Sequence, residues 1–279
     1  MGQLSIDWSS LNEWTIKYAS KSFWNKTAKL FWVKITRART RNFDAIILNA
    51  YQIIGKSPKI IFDVGSHNGS SINRFSKLFG KPQIFAFEPN NDLYFKIKDK
   101  FQDKNIHISN KALGKQKGTV EFNSHNSSTG SSSLLDFNPN SSFASRRKLT
   151  RTNVDRVKVL MTTLDDVVSS RELEKIDYLK IDTQGTELEV LLGAEKLLKL
   201  KKIDFIEFEI ILTPIYLNMP KWSEILNYLL NFDYHLIALS NDGRFFNLGP
   251  YDTLLNPELQ IDVIFVCDKV NQVLNRGRM

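Results

Sequence analysis

From Lys59 onward the chain repeats one pattern, a short continuous apolar run followed by a stretch of helical periodicity. Strands that are apolar on both faces belong in a sheet covered on both sides, and helices between them form the crossovers of right-handed βαβ units. The runs Ile60–Val64, Ile84–Phe87, Ile106–Ser109, Tyr178–Ile181, Phe205–Ile210, His235–Leu239 and Val263–Val266 are the expected strands. Helices are expected over Ser71–Phe79, Asp92–Phe101, Glu187–Leu200 and Trp222–Asn231. The expected fold is therefore α/β, a doubly wound, mostly parallel seven-stranded sheet. Thr119–Phe122 and Val157–Met161 also read as strands, with pairing that the sequence leaves open.

Open sheets of this kind bind ligands at the carboxyl ends of their strands. The first run leads directly into Asp63-Val64-Gly65-Ser66-His67-Asn68-Gly69-Ser70 and then a helix. Gly65 permits a positive φ and close ligand approach, and the backbone N–H groups ahead of the helix face whatever binds there. A plain glycine turn is the simpler alternative. The loop has the spacing G-x-x-x-G and lacks a Lys-Ser/Thr pair, which weakens both a nicotinamide and a triphosphate reading.

The second run ends in Phe87-Glu88-Pro89-Asn90, where a carboxylate can accept from both hydroxyls of a ribose. The third enters Asn110-Lys111-Ala112-Leu113-Gly114, a small and polar corner suited to an adenine ring. The fourth gives Asp182-Thr183-Gln184-Gly185, and the fifth ends near Glu209. Asp182 is the first candidate for a general base, with holding cofactor or loop amides as its alternative. Glu209 is a candidate for orienting an acceptor hydroxyl, unless Glu207 and Glu209 only cap the sheet. His67 is titratable near neutrality, or else bonds only to backbone. His107 and His235, inside apolar runs, are expected to be satisfied core residues. No His/Cys/Asp set has metal-ligand spacing, so no metal is expected.

These motifs, in this order, resemble the FkbM family of S-adenosylmethionine-dependent methyltransferases over roughly residues 58 to 212. The matching segments are Asp63-Val64-Gly65 with Gly69, Phe87-Glu88-Pro89, Asn110-Lys111-Ala112, Ser131-Ser132-Ser133-Leu134, Thr163-Leu164-Asp165-Asp166, Leu179 to Ala194, and Phe208-Glu209. The resemblance implies the class I methyltransferase form of the doubly wound sheet, S-adenosyl-L-methionine as cofactor, and O-methylation of sugars, glycolipids or secondary metabolites. It implies a cofactor site at Asp63, Gly65, Ser66, His67, Asn68, Gly69, Glu88, Pro89, Asn110, Lys111, Ala112 and Asp182. The residues' own chemistry puts the expected catalytic roles on Asp182, Glu209 and His67, and the expected acceptor contact on Ser131, Ser132 and Ser133. His67 stands where the family usually has Asn, and Gln184 where it usually has Glu.

The remaining segments are read from composition. Residues 123–150 hold nine serines and four asparagines, which hydrogen-bond their own backbone, so a long loop is expected there, a lid or an insert. Residues 1–42 carry eight basic side chains against Asp7 and Glu13, a local charge of +6 within a net +8, and four of the five tryptophans. Ser10 to Glu13 form a capping box, and Trp24, Ala28, Phe31 and Ile35 recur at helical spacing. The chain thus divides into a helical N-terminal segment, 1–57, and a methyltransferase domain, 58–279. The N-terminal helix either packs its aromatic face on the core or in a homo-oligomer, or lies through residues 8–41 on an anionic membrane surface.

Cys267 is the only cysteine, which excludes an intrachain disulfide and suits a small core residue. With no signal-peptide pattern at Met1 to Asp7, a cytoplasmic location is expected, peripheral to the inner membrane if the basic helix binds there. The expected partner is a small-molecule or glycan acceptor. A pI of about 9.4 favours a nucleic-acid methyltransferase instead, but Asp182-Thr183-Gln184-Gly185 lacks the Asn/Asp-Pro-Pro-aromatic motif of amino-methylating enzymes. A non-catalytic membrane adaptor on a cofactor-binding fold is the third reading.

Overall fold

The structure, a computed structural model, describes residues 41–125, 128–141, 154–240 and 260–276. The capping box, the Trp24 to Ile35 periodicity and all of the candidate membrane segment 8–41 but Arg41 lie outside the described residues. The chain divides into two units at Ala45/Ile46, and everything below belongs to the second. Helix α1 is Arg41–Ile54.

The main sheet has seven strands, β1 (Ile60–Val64), β2 (Gln83–Phe87), β3 (Ile106–Ser109), β7 (Ile176–Ile181), β8 (Ile203–Ile211), β9 (Tyr234–Ser240) and β10 (Gln260–Cys267). Their order is β3-β2-β1-β7-β8-β10-β9. The first five are parallel, and β10 runs antiparallel to both β8 and β9. The chain starts at β1 in the middle, winds outward to β3, then returns to β7 beside β1. That reversal leaves a crevice above the carboxyl ends of β1, β2 and β7, the position where such sheets take ligands.

Helices α2 (Ser70–Phe79) and α3 (Asn91–Lys100) supply the first two crossovers. Asn90 caps α3 by accepting from the Leu93 N–H. The sheet interior is aliphatic and aromatic, with Ile61, Phe62, Tyr178, Leu179, Phe205 and Ile206 all fully buried. One ion pair crosses this core. Arg74 of α2 reaches Glu207 of β8 at 2.6 Å, and the Tyr178 hydroxyl donates to the same carboxylate. Glu207 is thus a paired buried acid rather than a sheet cap.

A second sheet of three strands, in the order β4-β6-β5, is inserted between β3 and β7. It joins β4 (Ala112–Leu113), β5 (Gly118–His125) and β6 (Val154–Thr162). The two strands of unknown partner therefore pair with each other, antiparallel, outside the main sheet. Helix α4 (Leu164–Ser170), capped by Thr163, leads back to β7.

The helix expected over Glu187–Leu200 is two helices, α5 (Glu187–Leu192) and α6 (Glu195–Lys199). A Cβ on the intervening Gly193 would lie 2.1 Å from the Gly114 carbonyl oxygen, so the backbone of the small sheet passes against the break. The Asp165 carboxylate then accepts from the Lys196 and Leu197 N–H groups and starts α6 from a distance. Helices α7 (Trp222–Leu230) and α8 (Asp268–Arg276) complete the described elements.

Two histidine expectations change. His235 lies on the outermost strand with its side chain 39% exposed and pairs with Asp268 at 3.1 Å, so it is a surface residue. His107 is half-buried and stacks on Phe85 with ring centroids 4.8 Å apart. Cys267 is fully buried.

Candidate functional site

The loop after β1 is built on backbone bonds. The N–H groups of Gly65 and Ser66 both donate to the Phe87 carbonyl, at 3.0 and 3.1 Å, and the Asp182 N–H donates to the Val64 carbonyl at 2.9 Å. Gly65 has φ +82°, and a Cβ there would sit 1.9 Å from the Asp182 carbonyl oxygen, so any side chain would break the β1–β7 contact. Gly69, at φ +76° ahead of α2, would set a Cβ 2.3 Å from Phe101 Cε2. Asn68 Oδ1 accepts from the Ser70 N–H, and Ser66 Oγ donates to the Asp63 carbonyl. His67 adopts φ +48°, aims its N–H at Glu88 Oε2 at 2.8 Å and turns its ring toward Thr129 Oγ1, also at 2.8 Å.

Glu88 follows β2, almost completely buried yet bordering the crevice. Its oxygens accept from the His67 and Asn90 N–H groups, each at 2.8 Å. Burial raises its carboxyl to about 7 despite those two bonds. Pro89, Lys111 and Ala112 line the same crevice. Asn110 faces away from it and donates to the Glu88 and Pro89 carbonyls, bracing the turn.

The loop after β7 carries the densest charge. Asp182 opens into the crevice with its side chain 40% exposed, while Lys180, two residues earlier, lies below it with Nζ 3.1 Å from Oδ2. Burial works against the Asp182 charge, but the Lys180 ammonium and the Gln184 amide hold its carboxyl below the usual range. Gln184 Nε2 donates to Asp182 Oδ1 at 3.0 Å and to Glu209 Oε2 at 3.2 Å. Glu209 does not border the crevice, and burial next to the Asp182 charge pushes its carboxyl well up. Glu187 accepts from the Thr183 and Gly185 N–H groups and fixes the loop from below.

Asp63 lies under this floor, fully buried, and neither of its carboxylate oxygens has a hydrogen-bond partner among the described residues. Burial raises it to about 6 against the pull of Lys180.

Part of the Ser-rich loop closes over the crevice. A single 3-10 turn, Thr129–Ser131, leads into Ser133, which pairs through its backbone with Asn123 of β5. Residues 136–138 then pair with 215–217. Thr129, Gly130, Ser132 and Leu134 line the crevice. Ser131 and Ser133 are buried and point elsewhere. The Ser131 carbonyl accepts from the Tyr216 hydroxyl at 3.1 Å, and Ser133 Oγ donates to the Gln184 carbonyl at 2.7 Å.

The fold thus gathers Gly65, Ser66, His67, Glu88, Pro89, Lys111, Ala112, Asp182 and Ser132 around one crevice. Asp63, Gly69, Asn110, Ser131, Ser133 and Glu209 lie outside its lining, and Asn68 is exposed beside the start of α2. Lys180 and Tyr216 were missed, since one is hidden in the apolar strand β7 and the other lies in the loop after β8. Chemically, the crevice offers a buried acceptor at Glu88, an anion at Asp182 and a partly apolar wall. Those features suit a ligand with a hydroxylated ring and an acceptor that gives up a proton.

A doubly wound seven-stranded sheet with its last strand pair antiparallel, and a ligand crevice at the turn-back between β1 and β7, defines the class I methyltransferase fold. The chain belongs to the FkbM methyltransferase family, whose domain model matches residues 63–236. It is 26% identical over 162 residues to the 2-O-methyltransferase NoeI of Sinorhizobium fredii (strain NBRC 101917 / NGR234). That match covers 56% of this chain and 65% of the relative, so the chain spans less than two thirds of the curated relative's length.

Among solved structures, it is similar to magnesium protoporphyrin IX methyltransferase (ChlM) of Synechocystis PCC 6803. The identity is 9% and the TM-score 0.44, covering 96% of this chain and 100% of that one. The precorrin-6y C5,15-methyltransferase of Geobacter metallireducens GS-15 matches at 14% identity and TM-score 0.41, covering 82% and 88%.

S-adenosyl-L-methionine is the methyl donor of this class, and the residues fit it. Glu88 keeps lone pairs for a ribose after its two amide bonds, and Asp63 is a buried acid beneath the same floor with no hydrogen-bonded donor among the described residues.

Proposed function

We propose that the chain is an S-adenosyl-L-methionine-dependent O-methyltransferase acting on a hydroxyl of a sugar, glycolipid or secondary metabolite. The observation that carries this reading is the convergence of the Gly65 loop, the Glu88 carboxylate and the Asp182 carboxylate on one crevice at neighbouring strand ends. When bound, S-adenosylmethionine supplies a methyl carbon made electrophilic by its sulfonium. Glu88 would hold the ribose hydroxyls, with Pro89, Lys111 and Ala112 bordering the adenine and the Gly65 to His67 backbone the rest.

Asp182, kept anionic by Lys180, accepts the proton of the acceptor hydroxyl as its oxygen becomes a nucleophile. The other requirement of an in-line displacement is alignment, and the segment 129–134 above Asp182 confines the acceptor and limits water. The name of the curated relative supports oxygen as the methylated atom. On this reading the partner is a small-molecule or glycan acceptor rather than nucleic acid.

Calorimetry with adenosylhomocysteine tests the cofactor site. Binding is expected, and Glu88→Ala should weaken it by more than about 1 kcal/mol, since a hydrogen bond to a charged acceptor is lost. Mass spectrometry of glycans from cells with and without the gene should then show a 14-dalton difference, about one methyl group. On the acceptor so identified, Asp182→Asn should lower turnover about 100-fold while adenosylhomocysteine affinity holds. A folded chain that ignores adenosylhomocysteine would sink the reading.

A further inference from the structure

Beyond the crevice itself, one side chain ties its roof to its floor. The Tyr216 hydroxyl shares its one proton between the Ser131 carbonyl of the roof and Gln184 Oε1 of the floor, each 3.1 Å away. We infer that Tyr216 is a positioning residue for Asp182, fixing the Gln184 amide so that the roof segment and the base are held as one unit. The inference rests on the methyl-transfer reading for the role of Asp182.

The hydrogen-bond inventory of Gln184 supports this assignment. An amide has two N–H donors and one carbonyl acceptor. Here both donors go to carboxyl groups, Asp182 and Glu209, and the acceptor faces the tyrosine hydroxyl. The flipped amide would set its oxygen against the Asp182 anion, so one orientation is selected.

The backbone reinforces it. Gln184 and Gly185 have φ of +57° and +99°, a turn that brings Gly185 under the Tyr216 ring, where a Cβ would lie 3.1 Å from Cδ2. The ring is itself seated by stacking on Phe137, centroids 4.9 Å apart. Ser133 adds a second tie from the roof, through the Gln184 carbonyl.

The amide that Tyr216 steadies stabilises the Asp182 anion. Asp182 faces many other charges, so its titration reports their sum. Lys180 comes from its own strand, Asp63 and His67 from β1 and its loop, and Glu88 from the end of β2. Glu187 comes from α5, Glu209 from β8 and Asp262 from β10. Removing only the tyrosine hydroxyl leaves all of these in place. Tyr216→Phe therefore removes only the hydroxyl's ties to the Gln184 amide and the Ser131 carbonyl, and it preserves the Phe137 stack.

The test is side-chain amide NMR on the full chain, with the Gln184 signal assigned by its loss in Gln184→Ala and its Asp182-linked titration by its loss in Asp182→Asn. In Tyr216→Phe the titration midpoint should rise by about half a pH unit, and amide exchange with solvent should quicken about tenfold. Unchanged midpoint and exchange, even with a lower melting temperature, would mean that Tyr216 only packs. Should Tyr216→Phe fail to fold, Ser133→Ala is read instead. A smaller movement in the same direction is expected, and none overturns the inference. These readouts need neither cofactor nor acceptor, so their failure leaves the methyl-transfer reading standing. Absent adenosylhomocysteine binding by the native chain would defeat that reading alone.

Discussion

The floor and the roof of the crevice are built by different means. The floor is the continuation of three adjacent parallel strands, and its loops are pinned by backbone bonds from Gly65 and Ser66 to Phe87 and from Asp182 to Val64. Opening it means opening the sheet. The roof hangs from separate contacts, His67 to Thr129, Ser133 to Gln184, Tyr216 to Ser131, and the backbone pairing of Ser133 with Asn123. Each such bond contributes about 0.5–1.5 kcal/mol net, so the roof can open locally while the sheet stays intact. A site that must admit a ligand and then exclude water needs this asymmetry.

The strongest challenge to this contrast is Gly65→Ala. A methyl at φ +82°, pressed on the Asp182 carbonyl, should destabilise the fold by more than about 2 kcal/mol and abolish adenosylhomocysteine binding. Denaturation and calorimetry that both match the native chain would mean the floor is not sheet-bound as described.

Next in size is a pH effect at Glu88. Its carboxyl is raised from 4.5 to about 7, so the folded state favours the protonated form. Its stabilising contribution is full below 4.5 and is lost as pH rises through about 7. Ribose hydroxyls prefer the anion, so adenosylhomocysteine affinity should climb about tenfold from about pH 5.5 to pH 8. A pH titration of affinity by calorimetry checks this, and Glu88→Gln should flatten the climb. An equal slope in that variant would assign it to another group.

The roof should respond more weakly. Ser133→Ala removes a bond to Gln184 and should cost about 1 kcal/mol, with faster hydrogen exchange across 128–135 and little change in β1 or β7. Equal acceleration in the strands would merge the two regions into one. Thr129→Val, which deletes only the His67 contact, should cost about 0.5 kcal/mol by chemical denaturation, and a loss as large as that of Gly65→Ala would invert the ranking.

The same contrast governs what could be read in advance. All seven main strands and the Gly65, Glu88 and Asp182 turns were legible, because strands covered on both faces write themselves as apolar runs and their ends as abrupt polar breaks. The roof was legible only as a Ser-rich loop. Its closure depends on partners 51 and 85 residues away, Gln184 and Tyr216, which no local pattern marks. The single helix expected over Glu187–Leu200 was misread for a related reason, since Gly193 meets the backbone of a sheet that its own neighbours do not mention.

By itself, then, the sequence determined the doubly wound sheet, the edge that carries the crevice, and the acids and glycines at that edge, because burial periodicity and backbone freedom are local properties. Only the tertiary structure decided which of those residues face the crevice and which brace it. It set Lys180 beneath Asp182, turned Asn110 and Ser133 away, and joined roof to floor at Tyr216. Such choices follow from hydrogen-bond satisfaction between segments far apart in the chain, and that accounting closes only when the segments meet.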